Sequence, residues 1–359
     1  MKKIKILFYS HAIDYAGTWR SHERILLNLN KDLFDPYVFY NPNQNNNRLD
    51  YLKTKLDNSK IVPFFASKNK TGPNEGYSYL ETDFSKLAKK IEFDIIHFAR
   101  SGYFEWPFNE RISPIQIETN IFGFRDNTEF LDCSVAICDT IEKTRNGSDY
   151  VIYNPIPLPK LDDKNLKEEY GIKKDEFVFG RIGRKSNFHN ISIKSLKKLK
   201  KEGIKFKYII IGACEKIINT IKSSNLENEC IILNETNDDY LIHKFHNTID
   251  LFLHYRSDGE CHSTAIAQSM MYGKPVISHF AGYNGQVETI KDGGFVCRDE
   301  NEYCEKILSL CSDKKFYNQI SLNAKKRALD FEEKKITSDW ENLYKKLYEE
   351  RFNNINLCS

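Results

Sequence analysis

Short β-rich runs that alternate with helical patterns are the feature that most constrains the fold of this chain. Seven runs occur in its first part, at residues 4–9, 37–40, 61–64, 94–98, 114–118, 135–138 and 151–153. Helical patterns at 20–30 and 85–91 lie between some of them. Because parallel strands need long crossover connections, usually helices, this alternation predicts βαβ units and parallel sheets.

A proline-rich segment divides the series into two parts. The sequence Asn-Pro-Ile-Pro-Leu-Pro at 154–159 cannot continue a helix or a central strand, because each proline lacks a backbone donor. The alternation then resumes at 177–182, 208–211, 230–233, 251–254, 275–278 and 295–297, with helical patterns after Asn190, Asn237 and Ser263. At 359 residues, the chain is also longer than a single hydrophobic core usually supports.

We therefore predict two doubly wound, Rossmann-like α/β domains that face a central cleft. The N-terminal domain is expected at 1–158 and the C-terminal domain at 159–335. Residues 336–359 are expected to form a C-terminal helix, for which packing back on the N-terminal domain is an open possibility. Sheets of this kind bind ligands at the C-terminal ends of their strands, so the loops that follow strands are the candidate sites.

Charge, cysteine content and hydropathy exclude several classes of protein. Basic and acidic side chains nearly balance, 53 against 50, which argues against a general nucleic-acid binder. The nine cysteines are odd in number and lack CxxC spacing, so we expect a reducing compartment and neither a disulfide framework nor a metal site. The N-terminal apolar run is too short for a signal peptide, and no run approaches the roughly 20 apolar residues of a membrane span. We expect a cytoplasmic protein.

The segment 258–278 is the most informative about function. Glu260 lies on a strand-to-helix turn, Gln268 follows eight positions later inside the helix, and Gly273 ends that helix. Two helical turns separate Glu260 from Gln268, so both can face the same side. The start of such a helix offers unpaired N–H groups and a positive dipole, which suit a diphosphate. We predict a nucleotide-sugar pocket, with further donor contacts from the turn residues Cys261, His262, Ser263 and Thr264.

Carboxylate and carboxamide groups suit this pocket because they can hold the hydroxyl pairs of a sugar and a ribose. The alternative for Glu260 and Gln268 is a polar cap and an ordinary surface residue. Two histidines, His254 and His262, flank the turn. We expect His262 to be the more important, since it falls where the helix N–H groups point.

A second candidate segment follows the first strand of the second half. Gly183 lets the backbone approach a ligand, Arg184 offers a planar fork matched to phosphate oxygens, and Lys185 adds a second charge. Such cations can stabilise a leaving diphosphate, although a solvated strand end is the alternative. Arg181 ranks second, because strand alternation turns it to the opposite face from its neighbours. We also assign Gly212, which follows the next strand, to the donor site.

Residues 181–207 form a basic stretch, with ten Lys or Arg and one acidic residue, Glu202. A basic surface can attract an anionic membrane or a phosphorylated acceptor. A solvated helix face is the favoured interpretation, and peripheral membrane contact is left as an open alternative.

Loops in the first half supply the acceptor-side candidates. His11 and Gly17 lie in an aromatic loop after the first strand, and Asn120 follows the run at 114–118. His97 lies inside a strand run, where we expect a core histidine. The chain contains no Gly-x-Gly-x-x-Gly after a strand, no phosphate-cradling Gly-x-x-x-x-Gly-Lys and no Gly-x-Ser-x-Gly.

Together these motifs resemble those of the retaining GT-B glycosyltransferases of family four, often labelled glycosyltransferases group one. The resemblance is strongest from about residue 177 to residue 294 and mostly topological in the first half. Glu260 matches the first residue of the family's Glu-x7-Glu motif. The residues that match its continuation are Met270, Gly273, Pro275 and Val276. The segment 281–288 is similar to the family's glycine turn with its following Glu, Asn154-Pro155 to its interdomain Asn, and Gly183-Arg184 to its diphosphate Arg.

Several positions depart from the family pattern. Gln268 stands where the family has its second Glu. His189 stands where the family has a Lys five positions after the Arg, and Lys185 is near enough to substitute. Asn120 aligns roughly with a family His, and the family's Gly-Gly of the first loop is an Ala-Gly ending at Gly17.

The resemblance implies metal-independent transfer of a hexose-type sugar, with retained configuration and no cofactor. The donor would be a UDP- or GDP-sugar and the acceptor a hydroxyl of a glycan, a lipid-linked glycan or another molecule. Glu260 would orient the sugar, Gln268 would hold the ribose, and Arg184 with Lys185 or His189 would stabilise the leaving diphosphate. One alternative is a non-catalytic sugar- or nucleotide-binding protein of the same fold, which Gln268 and His189 favour. A sugar-nucleotide epimerase is less favoured, because no convincing set of acid and base residues can be placed.

Overall fold

The chain forms an N-terminal and a C-terminal unit. A computed structural model describes residues 2–10, 12–15, 17–65, 83–100, 110–125, 128–140, 147–185 and 190–353. The N-terminal unit comprises Met1–Pro155 together with Glu333–Ser359, and the C-terminal unit comprises Ile156–Glu332. The chain therefore crosses between the units at the proline-rich segment and returns after residue 332.

The N-terminal unit is built on a parallel sheet with the strand order β3-β2-β1-β4-β5-β6-β7. Its strands are β1 (Ile4–Tyr9), β2 (Phe34–Tyr40), β3 (Ile61–Pro63), β4 (Ile95–Arg100), β5 (Ile115–Asn120), β6 (Cys133–Ala136) and β7 (Tyr150–Val151). Its described helices are α1 (Gly17–Asn28), α2 (Leu49–Lys53), α3 (Asp83–Ile91) and α11 (Glu333–Asn353). All residues of β4 and β5 are buried, as expected for parallel strands covered on both faces.

Strands β4 and β5 extend two residues beyond the runs expected at 94–98 and 114–118. At the end of β4, the charge of Arg100 is balanced inside the sheet by Glu118, the last residue of the run expected for β5. The Arg100 Nε lies 2.6 Å from the Glu118 Oε2, and both side chains are fully buried. Ser134 Oγ donates to the other Glu118 oxygen at 2.6 Å. The hydrophobic pattern alone could not reveal these polar strand ends.

The C-terminal helix α11 is part of the N-terminal unit and contributes to its core. Trp340 and Tyr344 are fully buried among residues of β1, β4 and α1. The Trp340 ring lies 4.3 Å from the ring of His97, and the Tyr344 hydroxyl is 2.6 Å from His97 Nδ1. His97 Nε2 is 2.7 Å from Thr119 Oγ1 and 3.3 Å from His22 Nε2. His97 is thus a hydrogen-bonded core histidine.

The C-terminal unit repeats the architecture. Its main parallel sheet has the order β10-β9-β8-β11-β13-β15, and a two-stranded sheet pairs β12 with β14. The strands are β8 (Phe177–Ile182), β9 (Phe206–Ile211), β10 (Cys230–Leu233), β11 (Leu251–Leu253), β12 (Gly259–Glu260), β13 (Val276–His279), β14 (Tyr283–Asn284) and β15 (Gly294–Cys297). The helices are α4 (Ile191–Lys201), α5 (Glu215–Ser223), α6 (Asp239–Thr248), α7 (Thr264–Met271), α8 (Gly285–Ile290), α9 (Glu300–Ser312) and α10 (Lys314–Ala328).

The strand order of this sheet defines where a ligand can bind. When only the six strands of this sheet are counted, in chain order, the spatial order is 3-2-1-4-5-6, and the direction of winding reverses between β8 and β11. Open parallel sheets bind ligands outside the carboxyl ends of their strands at such a switch point. Separately, no described helix combines the length and apolar composition that crossing a bilayer requires.

Replacing Trp340 tests the contribution of α11 to the N-terminal unit. We expect Trp340→Ala to lower the free energy of unfolding by about 3 to 5 kcal/mol, because it removes a fully buried indole and leaves a cavity. Urea denaturation monitored by circular dichroism measures the change. Lys345→Ala on the same helix is the control and should change stability by less than about 0.5 kcal/mol. Equal effects of the two substitutions would contradict a core role for α11.

Candidate functional site

Most donor-site candidates of the C-terminal unit gather at the carboxyl edge of its main sheet. Gly183, Arg184 and Lys185 directly follow β8, and Glu260 lies on β12, in the connection from β11 to α7. Because β8 and β11 are neighbours at the switch point, the sheet brings the two segments to the same edge.

Glu260 lies before helix α7 and is not part of that helix. It pairs with Asn284 in the small β12–β14 sheet, and the helix begins only at Thr264. The expectation that two helical turns relate Glu260 to Gln268 is therefore wrong, since the connecting turn is not helical. Gln268 lies on the second turn of α7, on the partly exposed face that also carries Thr264 and Ala265.

The Glu260 carboxylate is mostly enclosed and has donors on both oxygens. Its side chain is 15% exposed, and Oε1 accepts a hydrogen bond from His254 Nε2 at 3.1 Å. Oε2 accepts from Arg256 Nη1 at 3.4 Å. Burial alone would raise the pKa of Glu260, but the His254 hydrogen bond and the charges of Arg256 and Arg181 outweigh it and hold the pKa below its usual value. Glu260 is therefore ionised at neutral pH.

His254 and His262, which flank the turn, have different partners. The structure places His254 against the Glu260 carboxylate, whereas the His262 ring packs edge-on against Phe331 with centroids 4.7 Å apart. Burial lowers the pKa of His262 to about 4, so this ring is neutral near pH 7. The expectation that His262 is the more important of the two histidines stays a prediction. Burial of the turn sets the direction of the His262 ring, and no local sequence pattern indicates that packing.

The turn before α7 is buried and ends in a helix cap. Cys261, His262 and Ser263 are buried, and Ser263 Oγ accepts a hydrogen bond from the Ile266 N–H at 3.4 Å. Only one of the first N–H groups of the helix is satisfied by this cap. The remaining N–H groups of the first turn point off the helix end, where the positive end of the helix dipole favours an anion.

Arg184 and Lys185 add positive charge at the same edge. Both side chains are exposed, and neither forms an ion pair with another described residue. Arg181 differs, because it is buried and its guanidinium donates to the carbonyl oxygens of Ile182 and Tyr255, the latter at 3.4 Å. Arg184 and Lys185 are therefore accessible to a ligand, while the buried Arg181 contributes a positive charge near Glu260. His189 lies outside the described residues.

Gly212 shapes the edge through its backbone. Its φ is +85°, and a Cβ at this position would lie 2.2 Å from the carbonyl oxygen of Gly183. Only glycine lets the end of β9 approach the end of β8 this closely. Gly212 therefore supports the conformation of the segment that carries Arg184.

Gln286 joins the parts of the site, and sequence reasoning missed it. Its Oε1 accepts from the Glu260 N–H at 3.4 Å, and its Nε2 donates to the His279 carbonyl at 3.0 Å. The preceding Gly285 permits this contact, because a Cβ there would lie 1.5 Å from the Cys261 carbonyl oxygen. The glycine turn at 281–288 was the available signal, but the pairing of Gln286 with Glu260 spans 26 residues and has no local pattern.

The acceptor-side candidates belong to the N-terminal unit. Asn120 ends β5 beside Arg100 of β4 and is fully buried. Neither its amide nitrogen nor its amide oxygen has a hydrogen-bond partner in the described part of the chain. Gly17 begins α1 and is exposed, and His11 lies outside the described residues. Asn120 is thus a buried polar group with unused hydrogen-bonding capacity at the carboxyl edge of its sheet.

Four of the ten cations in the basic stretch at 181–207 pair with acidic residues inside the C-terminal unit. Lys194 and Lys198 lie 3.6 and 3.3 Å from Glu300, Lys200 lies 2.9 Å from Glu229, and Lys205 lies 2.7 Å from Asp175. Pairing with local acids lowers the attraction of these four lysines for an anionic membrane or acceptor.

The described cysteines and potential metal ligands form neither disulfides nor a metal-binding cluster. The eight described cysteines are free thiols. Among the described residues, no group of three or more His, Cys, Asp or Glu side chains is placed to hold a metal ion.

Comparison with known proteins identifies the class of fold. Residues 162–327 match the family model of the glycosyl transferases group 1. A glycosyltransferase from Rickettsia africae ESF-5 is 17% identical, with a TM-score of 0.77 over 99% of this chain and 100% of that chain. HepE from Anabaena, solved in complex with UDP and glucose, is 17% identical, with a TM-score of 0.73 over 95% of this chain and 99% of that chain. Sucrose-phosphate synthase from Thermosynechococcus elongatus is 14% identical, with a TM-score of 0.65 over 97% and 99%.

No curated protein matches the sequence. The family match confirms the resemblance to the group 1 glycosyltransferases. The structural similarities confirm the GT-B fold with its two parallel-sheet α/β domains. Together they support a glycosyltransferase.

Two glycines with positive φ allow a matched test of the sheet edge. Gly212 (φ +85°) would place a Cβ against the Gly183 carbonyl, whereas Gly203 (φ +78°) would place it in open space. Gly203→Ala should cost about 1 to 2 kcal/mol of unfolding free energy, the penalty of a left-handed backbone with a side chain. Gly212→Ala should cost distinctly more, because the Gly183 backbone must shift as well. Chemical denaturation compares the two, and equal losses would contradict the close approach of β8 and β9.

Proposed function

We propose that this protein transfers a hexose-type sugar from a UDP- or GDP-sugar to a hydroxyl acceptor, with retained anomeric configuration and without a metal ion. The observation that carries the proposal is the arrangement at the carboxyl edge of the C-terminal unit. There an ionised Glu260, the start of helix α7 and the accessible cations Arg184 and Lys185 occur together.

The cations and the helix start would bind the donor diphosphate. Arg184 presents a planar fork that matches phosphate oxygens, and Lys185 adds a mobile charge. Backbone N–H groups at the start of α7 would contribute fixed donors. Negative charge on the diphosphate grows as the bond to the sugar breaks, so these groups would stabilise the transition state more than the ground state. They could do so in place of a divalent cation.

Glu260 would orient the donor sugar. A carboxylate only accepts hydrogen bonds, and each of its oxygens has a second lone pair beyond the one used by His254 or Arg256. Two sugar hydroxyls can donate to these positions. Because its pKa is held low, Glu260 suits an acceptor role better than that of a general acid.

Gln268 would hold the ribose through its amide, from the partly exposed face of α7. The family resemblance also supports the retaining course, in which the leaving diphosphate takes the proton of the attacking hydroxyl on the same face of the sugar. HepE, which has the same fold, has been solved with UDP-glucose, so a UDP-sugar is the first donor to test.

We propose a hydroxyl of a glycan, a lipid-linked glycan or another molecule as the acceptor. The unpartnered amide of Asn120 supports hydroxyl recognition by the N-terminal unit, since an amide can both donate to and accept from a hydroxyl. We also propose a cytoplasmic location, for which the free thiols are typical. Four cations of the basic stretch pair with local acids, which lowers the support for a peripheral membrane contact.

A non-catalytic nucleotide-binding protein is the second candidate, favoured by Gln268 in place of an acidic residue. The two candidates differ in turnover. We expect the purified protein to release nucleotide from at least one UDP- or GDP-sugar in the presence of EDTA, because protein groups supply the positive charge. A coupled assay over a panel of nucleotide-sugars measures the release. Binding of UDP or GDP without turnover of any donor would favour the non-catalytic candidate, and absence of both would contradict the proposed function.

Substitutions separate the roles of the donor-site residues. Glu260→Ala should lower kcat/KM by about 100-fold or more, the scale of losing a preorganised polar group. Arg184→Ala should lower it by about 10- to 100-fold, because a charge-assisted contact to phosphate is lost. Lys197→Ala, which removes an exposed charge on α4, is the control and should have less than about a twofold effect.

Gln268→Glu tests the ribose contact in the same steady-state assay. The carboxylate can accept from both ribose hydroxyls, so donor binding should persist. Loss of donor binding in Gln268→Glu would contradict the proposed role of Gln268. An unchanged kcat/KM in Glu260→Ala would contradict the proposed role of Glu260.

A further inference from the structure

A hydrogen-bonded chain runs from the main sheet of the C-terminal unit to the candidate site. Ser278 Oγ of β13 lies 2.8 Å from His254 Nδ1, and His254 Nε2 lies 3.1 Å from Glu260 Oε1. The three residues come from β13, from the end of β11 and from β12. A serine, a histidine and a glutamate linked by hydrogen bonds resemble a nucleophilic triad. Ser278, however, is fully buried within its strand and cannot reach a substrate. The hydrogen-bonded chain can therefore affect a ligand only through Glu260, which is its partly exposed member.

The direction of the chain follows from its surroundings. Burial lowers the pKa of His254 despite its hydrogen bond to Glu260, so the ring is neutral near pH 7. A carboxylate can only accept, so the ring proton lies on Nε2 and points at Glu260. Nδ1 is then unprotonated and accepts a hydrogen bond from the Ser278 hydroxyl. Each donor in the chain has one acceptor, which fixes a single tautomer.

His254 is held more firmly than the other partner of Glu260. Its backbone N–H donates to the Ile277 carbonyl at 2.8 Å, and its own carbonyl accepts from the Tyr303 hydroxyl at 3.3 Å. Arg256, in contrast, is a quarter exposed and forms its short contacts with Asp258, two at 2.7 Å, against 3.4 Å to Glu260. The position of the Glu260 carboxylate is thus set mainly by His254.

We propose that His254, oriented by Ser278, is a positioning residue that fixes the Glu260 carboxylate for recognition of the donor sugar. This inference rests on the proposed function. Without the Nε2–H donor, Glu260 would remain buried but lose its best partner, so the carboxylate would rotate and protonate more readily. Other ionisable groups around the pair would remain in place, namely Arg181, Arg256, Asp258, His262 and Tyr303.

The test compares two replacements of His254. His254→Leu keeps an apolar side chain of similar reach without a donor, and His254→Gln restores an N–H near the position of Nε2. We expect His254→Leu to lower kcat/KM for the nucleotide-sugar by about tenfold or more. The acid limb of its pH profile should move up by about one pH unit, because Glu260 then protonates at higher pH. His254→Gln should restore most of both. UDP lacks the sugar, so its Kd by calorimetry should stay unchanged in all variants.

A second buried histidine provides the matched control. His246 is also fully buried in the C-terminal unit, and its Nδ1 lies 3.1 Å from a serine hydroxyl, that of Ser269. His246→Leu removes a comparable polar group, so it should lower stability without moving the acid limb. If His254→Leu does not fold, Ser278→Ala should move the acid limb in the same direction by a smaller amount. An unmoved acid limb in the His254 or Ser278 variants, or a His254→Gln as impaired as His254→Leu, would overturn the inference.

A separate measurement distinguishes failure of this inference from failure of the proposed function. If the wild-type protein turns over no nucleotide-sugar, the proposed function fails. Carbon-13 NMR titration of the Glu260 carboxyl then still compares the wild type with His254→Leu, or with Ser278→Ala. A higher pKa of Glu260 in the variant supports the positioning role of His254, and an unchanged pKa overturns it.

Discussion

The candidate site at the carboxyl edge of the C-terminal unit depends on one requirement: the mostly buried carboxylate of Glu260 must remain ionised. Taking a charge out of water is costly unless hydrogen bonds and opposite charges replace its hydration. Glu260 meets this requirement through His254 and Arg256, with Arg181 as a further nearby charge. Several elements therefore converge on one side chain, and that convergence gives the site its rigidity.

The strand order of the sheet makes this convergence possible. The order of winding reverses between β8 and β11, and β12 lies in the connection that leads from β11 to α7. The β12–β14 pair joins this connection to the glycine turn, and the Gln286 side chain accepts a hydrogen bond from the Glu260 N–H. A rigid edge of this kind is suited to holding a ligand in one geometry, which is what stabilisation of a transition state requires. In the N-terminal unit, the network of His22, His97 and Tyr344 stabilises the core instead, because all three side chains are buried.

Local patterns predicted the architecture, and long-range pairing did not follow from them. Strands were expected at 4–9, 177–182 and 230–233 from their hydrophobic runs, and a helical pattern was expected after Ser263. The structure has these elements at the same residues. The strands β12 and β14 have two residues each, too few to give a periodic pattern. The partnership of His254 with Glu260 was missed because the direction of a buried ring depends on its packing. Glu260 with the α7 turn, and Arg184 with Lys185, did prove to lie at one edge of the sheet.

A crystal structure of the protein with bound UDP tests the central claim most directly. The predicted result places the diphosphate within about 3 Å of backbone nitrogen atoms at the start of α7 and of the Arg184 guanidinium, with the Glu260 carboxylate facing the vacant sugar position. A diphosphate bound away from the start of α7, or side chains filling the space at that helix end, would contradict it.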